Sequence, residues 1–346
     1  MKQTEKEKEL NRVLQETIAT LGADHFQVAV ALDELGLCLR RTGRLPEAEG
    51  CFRRALQIKE AKLSHSDAEV VWTLEGLGRC VREQGRAREA EDVLKRALRI
   101  REARLGPADM GVAVTAHELA RCARQAGRPE EAEELFRYAL QIKNAHGPDS
   151  VSAAVTLHEL GRCARAAGRL EEAEDHLKRA LLIKKTNLKK DDLEIATTVH
   201  ELGLCILRMG RLEEADELLQ EALQMKTAKL GSDHPQVAVT LHELGRSARA
   251  GLRGAEAELV LKRALQIKEA RLSPHHLEVP WTLIELGRCL REAGRPDEAK
   301  SYLERALQIQ EAKLGSNHKS VAWTLHDLDL CVQTPDLSGK DTKVAG

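Results

Sequence analysis

Aromatic side chains are scarce in this 346-residue chain, which holds three Phe, two Tyr and three Trp. So few rings argue against an aromatic-walled cofactor pocket and against a base-stacking sheet. Charge of one sign is lacking too, with 54 basic residues against 55 acidic ones and a net charge of -1. Attraction to nucleic acid or anionic lipid therefore cannot come from bulk charge and would need local segregation. No segment approaches the roughly 18 uninterrupted apolar residues of a membrane span. Met1 to Leu10 alternates Lys with Glu instead of forming a signal peptide. A soluble, cytoplasmic protein without membrane insertion is expected. The eight cysteines include no C-x-x-C pair, and no H-E-x-x-H metal motif, phosphate-binding loop or dinucleotide glycine motif occurs. Neither metal, cofactor nor catalytic residue is expected.

What is present is a repeat. Phrases of the type Leu-Gly-Arg-Cys, then Gly-Arg, then Arg-Ala-Leu-Gln-Ile-Lys recur along nearly the whole chain. Glycines Gly43, Gly85, Gly127, Gly168, Gly210 and Gly294, with Leu252 in the sixth slot, step by 42, 42, 41, 42, 42 and 42 residues. Ala55, Ala97, Ala139, Ala180, Ala222, Ala264 and Ala306 keep the same register. In the first half of a repeat, Ala31, Leu32, Leu35, Cys38 and Leu39 follow helical spacing and end at Gly43, suited to a left-handed cap. The second half starts near Pro46 and lines up Ala48, Phe52 and Ala55. Each repeat is thus a helix pair, and no strand-like alternation appears. Glycines inside the first helix (Gly36, Gly78, Gly161, Gly203, Gly245 and Gly287) each cost about 1 kcal/mol relative to alanine, which implies close helix-helix approach. The alanines of the second helix, from Ala48 and Ala90 to Ala299, are the expected partners.

Leu32, Leu35 and Gly36, then Ala48, Phe52 and Ala55, resemble the helix-pair positions of the tetratricopeptide repeat. The 42-residue length and endings such as Ala-Leu-Gln-Ile-Lys-Glu-Ala-Lys-Leu resemble the kinesin-light-chain subtype. Its usual paired asparagines are replaced here by His-Glu, as in His117-Glu118 and His242-Glu243, and its amino-terminal heptad region is missing. The resemblance implies an all-α, right-handed superhelical solenoid of antiparallel helix pairs whose groove takes short acidic peptides carrying a tryptophan. The expected organisation is a partial repeat over 1–27, seven repeats over 28–320, a capping helix over 321–333 and a disordered tail over 334–346.

Counting Ala29 as position 1 and advancing 100° per residue, positions 3, 7, 10 and 14 form the packed face, while positions 2, 5, 9 and 12 point the other way. By resemblance, that second face lines the groove. Positions 9 and 12 are Arg79 and Arg82, Arg121 and Arg124, Arg162 and Arg165, Arg246 and Arg249, Arg288 and Arg291. Position 5 supplies His117, His158, His200, His242 and His326. Position 2 supplies Trp72, Val114, Val155, Val239, Trp281 and Trp323. Two readings fit the arginines. They could complement helix dipoles and bridge to acidic clusters at second-helix starts, such as Glu171-Glu172 and Glu213-Glu214. Alternatively they receive a ligand, a reading favoured by one stripe repeated at two positions. Three or four exposed charge pairs contribute only about 1 to 4 kcal/mol, whereas micromolar binding needs about 8. An acidic partner therefore also needs an apolar anchor, such as a side chain set against Trp281. Titration of the histidine row near pH 6.5 is expected to tighten that partner on acidification.

Cysteines Cys38, Cys80, Cys122, Cys163, Cys205, Cys289 and Cys331 fall at position 10 and read as small apolar fillers. His25, His234, His276 and His318 recur near helix starts and read as junction residues. The reading that follows is a noncatalytic protein-interaction scaffold. The alternatives are a ligand-sensing array of a larger signalling ATPase and a nucleic-acid-binding solenoid, the latter disfavoured by the missing stacking residues.

Overall fold

The computed structural model describes residues 2–63 and 68–333. The tail expected over 334–346 lies outside them. Among the described residues every regular element is an α-helix, and the chain divides into two compact units, Met1–Arg169 and Leu170–Gly346. The first holds α1 (Lys2–Leu21), α2 (Phe26–Arg41), α3 (Leu45–Lys62), α4 (Ala68–Glu83), α5 (Ala87–Leu105), α6 (Met110–Gln125), α7 (Pro129–His146) and α8 (Val151–Ala166). The second holds α9 (Leu170–Asn187), α10 (Leu193–Arg208), α11 (Leu212–Leu230), α12 (Pro235–Ala250), α13 (Gly254–Leu272), α14 (Val279–Glu292), α15 (Pro296–Leu314) and α16 (Lys319–Gln333). Within each unit helices pack chiefly on their chain neighbours, most densely in the pairs α2/α3, α4/α5, α6/α7, α10/α11, α12/α13 and α14/α15. This nearest-neighbour packing is what stacked helix-pair repeats require.

The pairs start and stop where the sequence provides caps. The Nδ1 atoms of His25, His234, His276 and His318 accept backbone N–H bonds two residues on, at 3.2 Å each. Asp109 accepts likewise from Gly111 at 2.7 Å. The loop histidines are thus junction residues. At the turn inside each pair, Gly43 has φ +79° and the next amide, Arg44, reaches back to the Leu39 carbonyl at 3.0 Å, a left-handed helix cap that satisfies otherwise orphaned carbonyls.

The sixth repeat keeps this turn without its glycine. Leu252 adopts φ +59° and is 91% exposed, while Arg253 still donates to the Ala248 carbonyl at 2.8 Å. A side chain in this region costs roughly 1–2 kcal/mol and here packs on nothing in return. Leu252→Gly is expected to raise stability by about 1 kcal/mol, read as a higher urea midpoint. An unchanged midpoint would mean the turn is not strained.

The interior glycines do permit close approach, but the partner differs from the expected one. A Cβ at Gly78 would lie 2.6 Å from Leu94 Cγ, one at Gly245 2.5 Å from Leu261, and one at Gly287 2.6 Å from Leu303. The residue seated against each glycine is therefore the leucine four positions after the alanine. The larger side chain defines the space, and the small alanine merely lines it. The position-10 cysteines are buried free thiols. Cys80, Cys205 and Cys289 donate to the carbonyls of Leu45, Leu170 and Gly254 at 3.2–3.3 Å. Burial pushes the Cys122 thiol up to about 12 and that of Cys163 to about 11, so neither is a thiolate at neutral pH.

Candidate functional site: an arginine face on the first helices

The helical period places Arg79 and Arg82 on α4, Arg121 and Arg124 on α6, and Arg162 and Arg165 on α8. In the first unit they meet a row of glutamates at position 6. Glu118 lies 3.3 Å from Arg79, 3.6 Å from Arg82 and 3.6 Å from Arg121. Glu159 lies 4.0 Å from Arg121, 3.4 Å from Arg124 and 3.4 Å from Arg162. Each first helix therefore sets its arginines against the glutamate of the next. The Nε–H groups of Arg79, Arg82, Arg121 and Arg124 are buried without an acceptor in hydrogen-bonding geometry. Burial, with Arg121 close by, pulls the Arg82 guanidinium below its ordinary range, and burial does the same to Arg124.

A second set of arginines behaves oppositely. Residues that follow turn glycines are clamped between two acids. Arg86 binds Glu49 at 2.7 Å and Glu89 at 2.5 Å. Arg295 binds Glu258 at 2.7 Å and Glu298 at 2.6 Å, and Arg44, Arg128 and Arg211 repeat the clamp. Burial alone would raise the Glu49 carboxyl, but hydrogen bonds from Arg86, Gln84 and Arg53 bring it down to about 2. The acids that open the second helices are thus taken by turn arginines, among them Glu214 by Arg211. The stripe arginines face other carboxylates and hold them loosely.

In the second unit the stripe is closed more tightly. Arg246 bonds Glu243 at 2.7 Å, Arg249 bonds Glu285 at 3.1 Å, and Arg288 bonds Asp327 at 2.8–3.1 Å through two nitrogens. Arg291 approaches Glu292 only to 3.9 Å. A cleft of about 420 Å³ opens here, lined among others by Val239, His242, Arg246, Lys268, Trp281, Arg288 and Trp323. Trp281 and Trp323 are 43% and 55% exposed. Sequence reasoning singled out Trp281 for the site and used Trp323 only as a stud of the same row.

The histidine row is a correction. His117, His158, His200 and His242 are all buried, none more than 9% exposed, whereas His326, the last of the row, is exposed. The cause is a set of lysines the sequence reading passed over. Lys143, Lys184, Lys226 and Lys268, one per second helix, are themselves buried beside the position-3 threonines. Thr156 donates its single hydroxyl proton to the Ser152 carbonyl and accepts from Lys143 Nζ at 2.8 Å, which leaves His117 Nδ1 as donor at 3.1 Å. Lys226, Thr240 and His200 repeat the arrangement. Burial, with Lys143, Arg121, Arg79 and Arg82 around it, holds His117 well below the usual imidazole range. Burial and the nearby Lys268 bring His242 to about 3. Burial also lowers Lys143 and Lys226 to about 8. A lysine recurring at 42-residue spacing on the face that carries Ala55 and Ile58 was the available signal.

His117 and His242 stay neutral from pH 7.5 to 5.5, so these two cannot tighten an acidic ligand in that range. Their titration is a stability effect instead. With folded values depressed below 6.5, the unfolded chain binds more protons, so stability is full above pH 6.5 and is lost as pH falls toward 3. The expected slope is about 1.4 kcal/mol per pH unit for each of His117 and His242. Urea unfolding at pH 7.5, 6.5, 5.5 and 4.5 reads it, and a flat profile would refute the burial argument.

Among the described residues no cluster of His, Cys, Asp and Glu could hold a metal ion, and no helix is long and apolar enough to cross a membrane. The tetratricopeptide repeat family matches residues 7–61, 27–103, 67–145, 111–186, 194–270, 247–312 and 278–331. No curated protein matches the chain. Among solved structures, nearly identical TPR-like repeats of the kinesin light chain kind from Podosopora anserina are 26% identical, covering 61% of this chain and 99% of theirs, with a TM-score of 0.52. BtubC (BKLC) from P. vanneervenii is 19% identical over 67% of this chain and 93% of its own, with a TM-score of 0.55. The quorum sensor NprR from B. thuringiensis is 15% identical over 89% and 82%, with a TM-score of 0.70, a likeness of fold alone.

Proposed function

Because the chain belongs to the tetratricopeptide repeat family and is of the kinesin-light-chain-like type, we propose that it is a noncatalytic scaffold that holds acidic, apolar-anchored linear segments of partner proteins against the first-helix face. The observation that carries this reading is the contrast between the two arginine sets. Turn arginines such as Arg44, Arg86, Arg128, Arg211, Arg253 and Arg295 are each hydrogen-bonded to two carboxylates and serve the fold. Arg82, Arg121 and Arg124 of the first-unit stripe keep buried Nε–H groups without a hydrogen-bonded acceptor, and their carboxylates are shared with neighbouring arginines. An incoming anion supplies what they lack, and charge-assisted bonds to guanidinium are among the stronger polar contacts. Trp72, Val114 and Val155 on the same helices, and the Trp281–Trp323 cleft in the second unit, offer purchase for the apolar anchor. Eight free thiols suit a reducing cytoplasm.

The test is a peptide-library screen against the purified chain, comparing wild type with Arg121→Glu plus Arg162→Glu. All acidic hits are expected to disappear in the double variant. Retention of the same hits at the same strength would place the contact elsewhere and end this reading.

A further inference from the structure

We propose that the group received between α4 and α6 is a phosphate monoester dianion, carried on a phosphoserine or phosphothreonine of an extended partner segment. The inference rests on the arginine-face reading above and names its ligand chemistry. Arg79, Arg82 and Arg121 lie 3.3, 3.6 and 3.6 Å from the one carboxylate of Glu118. Three guanidiniums thus converge on Glu118, while Glu83, 3.5 Å from Arg82, and Glu159, 4.0 Å from Arg121, are shared with Arg40 and with Arg124 and Arg162, so positive charge stays in excess along this face. A partner carboxylate brings one negative charge to it. A phosphate monoester brings about -1.5 to -2 at pH 7 and three acceptor oxygens, one for each fork. Planar guanidinium groups also bind phosphate oxygens in pairs, which an ammonium cannot do. Arg82, only 7% exposed, has its Nε–H buried without an acceptor and reaches Glu83 and Glu118 only at 3.5 and 3.6 Å.

In the second unit Arg288 forms no such cell, because it is already bonded through two nitrogens to Asp327 and through a third to Glu285. Trp72, two turns before Arg79 on α4, stands exposed as the apolar neighbour of the phosphate position. The charged and titratable groups around the cell are Arg40 from α2, Glu83 from α4, His117, Glu118, Cys122 and Arg124 from α6, Lys143 from α7 and Glu159 from α8. His117 is held neutral, so the ionisation that sets binding near pH 6 is the ligand's own.

Random-flank peptide pools fixed at the centre as Ser, Glu, Glu-Glu or phosphoserine would be titrated against the full chain by fluorescence anisotropy at constant ionic strength. At pH 7.5 the phosphoserine pool is expected to bind about tenfold tighter than the charge-matched Glu-Glu pool, and the advantage should shrink severalfold at pH 5.5. Arg79→Gln plus Arg121→Gln should erase the advantage while the circular dichroism melt stays cooperative, and Arg305→Gln on α15 should leave it intact. A phosphoserine pool no tighter than Glu-Glu overturns the dianion while sparing the acidic-segment reading. If no pool binds the folded chain, both fall. Inorganic phosphate binding as tightly as the phosphoserine pool would reassign the cell to a free anion. An oligonucleotide binding tighter than every pool, and lost in the same double variant, would reassign it to a nucleic-acid backbone.

Discussion

Asp33→Ile is expected to destabilise the first unit by about 3–5 kcal/mol, because it leaves a buried ammonium without its main counter-charge. Lys59 is 1% exposed, and its Nζ sits 2.8 Å from Asp33 Oδ2, which also accepts from Thr73 at 2.9 Å. Glu69, at 2.7 Å, is half exposed and compensates only in part. The chain itself contains the remedy. At the same two positions the second repeat pairs Glu75 with Arg101 at 2.7 Å, and the third, fifth and sixth set histidine against lysine. The seventh has Ile284 with Gln310, which accepts from Thr324 at 2.7 Å. Acid goes with cation, neutral ring with a lysine of lowered basicity, and hydrocarbon with amide. Asp33→Ile combined with Lys59→Gln copies the seventh repeat and is expected to recover all but about 1 kcal/mol, since replacing both members of a buried pair is far cheaper than removing one. A urea double-mutant cycle measures the coupling. Additive losses would show that the two residues are not a unit.

Phe52→Ala should cost about 3–5 kcal/mol, the range for emptying a buried aromatic site. The ring is fully buried between two first helices, with a Cβ at Gly36 or Gly76 falling 3.0 or 2.6 Å from its atoms. Neither helix can close the gap without moving its backbone, because both already touch the ring through glycine. The converse change, Gly76→Ala, pushes a methyl group into the ring and should cost about 1–3 kcal/mol. Adding Phe52→Leu should relieve it, since leucine fills this slot against Gly78, Gly203, Gly245 and Gly287. Urea midpoints for the three variants read the prediction. A Phe52→Ala loss below 1 kcal/mol would mean the site collapses and the ring is not a spacer.

The helices, their turns and the arginine stripe were legible because they depend on properties one helix carries alone. Positive φ at Gly43 follows from a missing Cβ, and the common face of Arg121 and Arg124 follows from 3.6 residues per turn. The turn at Leu252 was legible from register, but its strained conformation was not, because only the neighbouring turns show that the backbone path is kept. The histidines failed for a different reason. Position 5 points away from the packed face of its own helix, yet Lys143 from α7 and Thr156 from α8 cover His117 from outside. A helical wheel contains no neighbouring helix.

The sequence by itself determined the repeat length, the helix pairs, the glycine caps and which arginines share a face, since periodicity and chirality act within a few residues. Only the tertiary structure decided which of those arginines are satisfied, which histidines can take a proton and which lysines lie in the core. Burial and pairing depend on side chains about forty residues away in the chain, and a charge costs little or much according to whether water or a carboxylate is beside it.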